Sequence, residues 1–219
     1  MEWASNQLDL PDSRLYFSIR SQEESRHAEI SYLLAEKFGG YIDAPMSDYQ
    51  DSVSTHGIRR LALDAEKSVE STIAALVCSA EQVIFNVFMH IAEITTDPAI
   101  RLAYQLILRD EARHCAFGWY FVADRLPHLT PAQRDQVRDA VVTMIEKVEL
   151  NGYQLAWLAP DSDASRAQIE CDRILWQAGL GASSEELEKP VLISSIRDRM
   201  KREWDIQLPV FHHPKTGEI

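Results

Sequence analysis

A chain of 219 residues with 46% hydrophobic and 26% charged side chains is too balanced for disorder and long enough for one packed soluble domain, here 1–219. Its formal net charge of −12 argues against the basic patch that phosphate-backbone binding relies on, so nucleic acid is not an expected partner. Cys78, Cys115 and Cys171 are odd in number and lack CxxC spacing, which speaks against a disulfide framework or a zinc ribbon and for a reducing, cytoplasmic setting.

Helical periodicity dominates the chain. The opening stretch MEWASNQLDLPDS has no basic start followed by an apolar run, so no signal peptide is expected. Asp12 and Ser13 are placed to cap a helix that runs to about Lys37, where Gly39-Gly40 ends it. After a loop through Pro45 and Ser52, a second helix is predicted from near His56 to about Thr95. Within it, the segment 73–94 is apolar around most of its circumference but is broken by Glu81, Gln82, Asn86, His90 and Glu93, so it reads as a buried core helix and not a membrane span. Asp97-Pro98 stops that helix and starts a third, which continues to about Leu126. Thr130-Pro131 caps a fourth to about Leu158, and shorter helices follow near 165–178 and 184–203. A polar tail, 204–219, ends the chain with His212 and His213 on an exposed end. The predicted class is all-α: bundle helices over 13–126 and additional helices over 131–203.

One five-residue phrase occurs twice. EESRH, with Glu24 and His27, and DEARH, with Glu111 and His114, share the order acid, Glu, small, Arg, His. Three residues along a helix rotate a side chain by about 300° and advance it by about 4.5 Å, so each Glu and His pair projects from one face. Two such helices facing each other can hold two metal ions if further carboxylates cap or bridge them. Glu81 is placed to do so. It is flanked at helical spacing by Ile73, Leu76, Val77, Ile84, Phe85 and Phe88, where an unpaired carboxylate is costly. It also precedes the Asp97 turn by 16 residues, while Glu111 follows it by 14, so the two should meet at nearly one height. A salt bridge from Glu81 to Arg26 or Arg113 is the alternative.

The acids one position before each ligand have a use as well. Metal-bound imidazoles commonly donate their second N–H to a carboxylate. Crossed pairing is therefore expected, Asp110 to His27 and Glu23 to His114, with Arg26 and Arg113 neutralising the acids. Tyr104, seven residues before Glu111 on the same face, is placed to hydrogen-bond near the site.

These residues resemble the ferritin-like di-iron carboxylate superfamily, whose pattern is Glu, ExxH, Glu, ExxH on four successive helices. EESRH, Glu81 and DEARH match its second, third and fourth elements, over roughly 13–126. The Arg in both motifs resembles the acyl-carrier-protein desaturases, multicomponent monooxygenases, ligand-binding oxidases and arylamine N-oxygenases; DEARHCAFG is most similar to the last two, although Ile107 stands where the N-oxygenases carry a further His. The resemblance implies a ferritin-like bundle and two iron ions, with manganese acceptable at either position, on Glu24, His27, Glu81, Glu111 and His114. It also implies O2 as co-substrate, a small organic or acyl substrate in the apolar interior, and an external electron donor.

The first element has no counterpart. Glu2 falls about 9 Å short of the level of Glu24 along the axis. The first carboxylate is thus expected from a preceding helix, from another subunit, or from Glu146 or Glu149, unless the site is incomplete. A homodimer or partner-subunit role is expected on the same ground, because a bundle missing one helix should expose apolar surface along 73–94. Two other classes stay open: a ferroxidase of an iron-storage cage, and a metal-poor partner subunit that kept only the fold.

Overall fold

Four side chains set the main helix starts by accepting backbone N–H bonds there: Ser68, Asp97, Thr130 and Ser162. Thr130 and Ser162 do so in reciprocal boxes, with Gln133 and Ser165 bonding back. The computed structural model describes residues 11–40, 67–182 and 191–219. Their main helices are α1 (Pro11–Lys37), α2 (Val69–Ile94), α3 (Pro98–Arg125), α4 (Pro131–Lys147), α5 (Asp163–Gln177) and α6 (Asp198–Trp204), the last led in by a π-helical stretch, Val191–Arg197. The class is all-α, as expected.

Boundaries differ from expectation in three places. Helix α2 starts at Val69 behind its Ser68 cap, so it does not run unbroken from His56, which itself lies outside the described residues. Helix α4 stops at Lys147 and not near Leu158, because the chain turns through a 3-10 segment, Glu149–Asn151, into left-handed Gly152 (φ 83°). That turn needs glycine twice over, since a Cβ there would lie 2.6 Å from the Ala159 nitrogen. The tail is also not a free polar end. Leu208, Phe211 and Ile219 are buried, a hairpin pairs β1 (His212–His213) with β2 (Gly217–Glu218), and His213 places Nε2 3.0 Å from the Leu158 carbonyl oxygen.

Helix α2 is central. It packs against α3 on one side and α4 on another, and one apolar cluster runs from Phe17 through Ile73, Val122 and Ile145 to Ile219. Helix α4 is therefore part of the core, not an appendage to it; Val137, Val141 and Ile145 are fully shielded there. The segment 69–94 is long and apolar enough to cross a membrane, yet most of it is buried inside the protein. The apolar exposure expected along 73–94 lies elsewhere for the same reason. Met89 is its one strongly exposed large hydrophobic, whereas α1 exposes Leu15, Ile19, Tyr32 and Leu33.

Helix α2 also changes pitch. Residues Leu76–Glu81 form a π-helix, and such segments mark functional sites often. Gly118 of α3 lies against it, so close that a Cβ would sit 2.5 Å from Val77 Cγ1 and 2.9 Å from Val77 Cβ. Gly118→Val is expected to cost about 1–3 kcal/mol of stability by overpacking this contact. A urea midpoint equal to that of the wild type would show that α2 yields freely.

Candidate metal centre

The buried face of α1 is Ser13, Phe17, Arg20, Glu23 and His27, a single helical stripe that is mostly charged. A stripe like this stays buried only if each charge finds a partner. Helix α3 supplies them from Asp110, Glu111, Arg113 and His114, and the π segment of α2 ends on Glu81.

The two histidines point the same way round. His27 Nδ1 lies 3.3 Å from Glu111 Oε1 and 3.5 Å from Glu24 Oε2. His114 Nδ1 lies 3.4 Å from Glu111 Oε2 and 3.5 Å from Glu24 Oε1. Both Nδ1 atoms therefore converge on the same carboxylates, and both Nε2 atoms face outward. His27 Nε2 meets Asp110 Oδ2 at 3.3 Å, and His114 Nε2 meets Glu23 Oε2 at 2.9 Å. This is the crossed pairing expected from the sequence. The arginines close it: Arg26 bonds Asp110 at 2.8 Å, and Arg113 bonds Asp110 at 2.5 Å and also Glu23.

Among the described residues two ligand groups result, Glu24 with His27 and Glu111, and Glu81 with Glu111 and His114. In each, one donor atom per residue lies within 4.8 Å of the others. Glu111 belongs to both groups. Glu81 Oε2, Glu111 Oε2 and His114 Nδ1 are buried without a hydrogen-bond partner. Buried donors and acceptors of this kind are costly unless something binds them, and two imidazoles with three carboxylates form a donor set suited to iron or manganese. Each group has the donor atoms to hold a divalent ion. Glu24, with 41% of its side chain exposed, is the open edge of the cluster.

Electrostatics hold the pieces charged. Burial pushes the Glu111 carboxyl up, but the flanking imidazoles of His114 and His27 outweigh it and bring the pKa down to about 2. Burial likewise lowers His27, yet its bonds to Glu111 and Glu24 prevail and raise it to about 10. Glu23 and Asp110 stay below the ordinary carboxylate range because their arginine and histidine bonds exceed the burial cost.

Three placements differ from expectation. Glu81 pairs with Arg20, not with Arg26 or Arg113, because Arg20 stands one turn before Glu24 on the inward stripe while the other two arginines are committed to Asp110. Tyr104 does not reach the centre. Seven residues carry it about 10 Å along α3, and its ring packs on Phe88 at 5.0 Å. The tyrosine beside the centre is Tyr16, edge-on to His114 at 6.2 Å and stacked on Phe117 at 3.6 Å, with its hydroxyl donating to the His114 carbonyl at 3.4 Å. Its spacing, eight residues before Glu24, was the available signal. Glu146 and Glu149 belong to neither ligand group, and Glu2 lies outside the described residues. Cys115 is buried, with its thiol pushed up to about 12, an inert neighbour of His114.

One turn from the cluster a cavity of about 580 Å3 opens between α1, α2, α3 and the end of α5. Ile30, Leu34, Phe88, Ile100, Tyr104 and Ile107 line it. Burial raises the Tyr104 phenol above its usual range, so it is a neutral donor at the wall. Comparison of the chain with family models, with curated proteins and with solved structures gave no match.

Proposed function

We propose that the protein is a ferritin-like, O2-using oxidoreductase with two non-haem metal ions, iron or manganese, which acts on a small, largely apolar organic substrate. The observation that carries this reading is the convergence of both Nδ1 atoms on Glu24 and Glu111, with Glu81 closing the far side and three of the buried donor atoms unsatisfied.

Glu24, His27 and Glu111 would hold one ion and Glu81, Glu111 and His114 the other, Glu111 being common to both groups. Iron bound there would supply electrons and an open coordination position for O2. The remaining tasks fall to the chain itself. Asp110 and Glu23 fix each imidazole with its Nδ1 turned inward, the usual role of a carboxylate behind a metal-binding histidine. The apolar pocket beside the cluster would take the apolar part of the substrate, and the neutral Tyr104 hydroxyl would orient a polar group on it. Further electrons come from a separate donor protein or reductant.

The test is elemental analysis of untagged protein, followed by anaerobic Fe(II) loading and measurement of O2 uptake on mixing with aerated buffer. About two metal ions per chain and uptake that scales with bound iron are expected. No metal after reconstitution overturns the reading in favour of a metal-poor subunit. Elution as a very large assembly that accumulates iron would move it to iron storage.

A further inference from the structure

A buried arginine stands among the proposed ligands. Arg20 is 4% exposed; its Nε donates to Glu24 Oε1 at 3.3 Å, and its Nη2 pairs with Glu81 Oε1. Glu24 Oε1 is also the oxygen that faces His114. The guanidinium therefore lies on the half of the centre formed by Glu81, Glu111 and His114. The other half is different: among the described residues no arginine contacts Glu24 Oε2, His27 Nδ1 or Glu111.

Charge points the same way. Five carboxylates (Glu23, Glu24, Glu81, Asp110, Glu111) against four guanidiniums (Arg20, Arg26, Arg113 and, at the exposed rim, Arg109) leave one negative charge. Each divalent ion bound by neutral imidazoles therefore adds positive charge to a centre that already holds Arg20. An arginine cannot relieve that excess by losing its proton, so withdrawal of Arg20 from Glu81 is the relief open to it.

We propose that Arg20 is a built-in competing cation, which leaves the Glu24–His27–Glu111 half clear of any guanidinium for a first divalent ion and withholds Glu81 from a second until the guanidinium swings away. Loading is then ordered and unequal. The inference rests on the two-metal reading above and adds to it which half fills first and what sets the gap. Arg20 is a positioning residue here, since it acts through Glu81 and Glu24.

The experiment is anaerobic titration of the full chain with Co(II), read by calorimetry and by the visible absorption of the bound ion, with cobalt counted after desalting. The wild type is expected to keep one Co(II) through desalting and to bind a second roughly ten- to hundredfold more weakly, the scale of lost hydrogen bonds to a charged group. Arg20→Gln should tighten the second step by a similar factor and keep two ions. Arg20→Lys, which retains the charge, should leave the steps unequal. Equal steps in the wild type overturn the inference even if Arg20→Gln does not fold, and so does a second step unmoved by that substitution. No Co(II) bound by either protein overturns the two-metal reading itself, a result distinct from two equal steps.

Discussion

Replacing Glu111 with Ala is expected to leave the protein folded and nearly free of metal. Glu111 is the one residue common to both ligand groups, with Oε1 3.3 Å from His27 Nδ1 and Oε2 3.4 Å from His114 Nδ1. Its loss takes a ligand from each ion at once, so the two cannot compensate for each other. The fold should tolerate the change. Alanine is the best helix former, and α3 keeps Ile107, Cys115 and Trp119 in the core on either side. Removal also relieves one buried acid of its desolvation cost. Elemental analysis after Fe(II) or Mn(II) loading should fall to near zero while the far-ultraviolet helical signal stays. Glu24→Ala is a graded comparison: that side chain is the exposed edge, and its loss should leave partial occupancy. Full occupancy in Glu111→Ala would falsify the ligand assignment.

Metal binding should release a proton near neutral pH, and affinity should rise as pH rises. His27 titrates at about 10 in the metal-free protein, so at pH 7 its imidazole carries a proton on the nitrogen a metal would need. A ligand must shed that proton first. For one proton the apparent affinity gains about tenfold per pH unit below 10. Calorimetry with Co(II) in two buffers of different ionisation enthalpy measures the release directly.

The same groups set a stability profile without metal. His27 has its folded pKa raised from 6.5, so its contribution is complete below 6.5 and is lost as pH climbs through about 10. Glu111 has its folded pKa lowered from 4.5, so its contribution is present above 4.5 and is lost as pH falls through about 2. This pair therefore favours the metal-free fold most between about 4.5 and 6.5. Melting temperatures of metal-free protein should decline from pH 6.5 to 9. A flat profile together with no proton release would mean that His27 is neutral.

Much of the arrangement was legible in local signals. Asp97-Pro98 and Thr130-Pro131 mark helix starts because capping is a short-range event, settled by a side chain and the amides two or three residues on. The repeated acid-Glu-x-Arg-His phrase placed Glu and His on one face of each helix by pitch alone. The crossed bonds, Asp110 to His27 and Glu23 to His114, followed from the same spacing on two antiparallel faces. Nearly equal distances from the Asp97 turn, 16 and 14 residues, brought Glu81 level with Glu111.

What the sequence by itself determined, then, is the helical class, most helix starts and the residues that share a face, because periodicity, caps and turn chemistry are properties of neighbouring residues. Only tertiary structure decided the rest. The π segment Leu76–Glu81 and the packing of Gly118 against its Val77 appear only in the folded chain. Burial of the tail answers to Leu158 and its neighbours, and the membership of α4 in the core answers to α2. The place of Arg20 against Glu81 and the nearness of Tyr16 in place of Tyr104 depend on how far α1 slides along α3 and which rotamers fit between them. Those distances are fixed by contacts between residues 61 or more positions apart in the chain, and no local pattern encodes them.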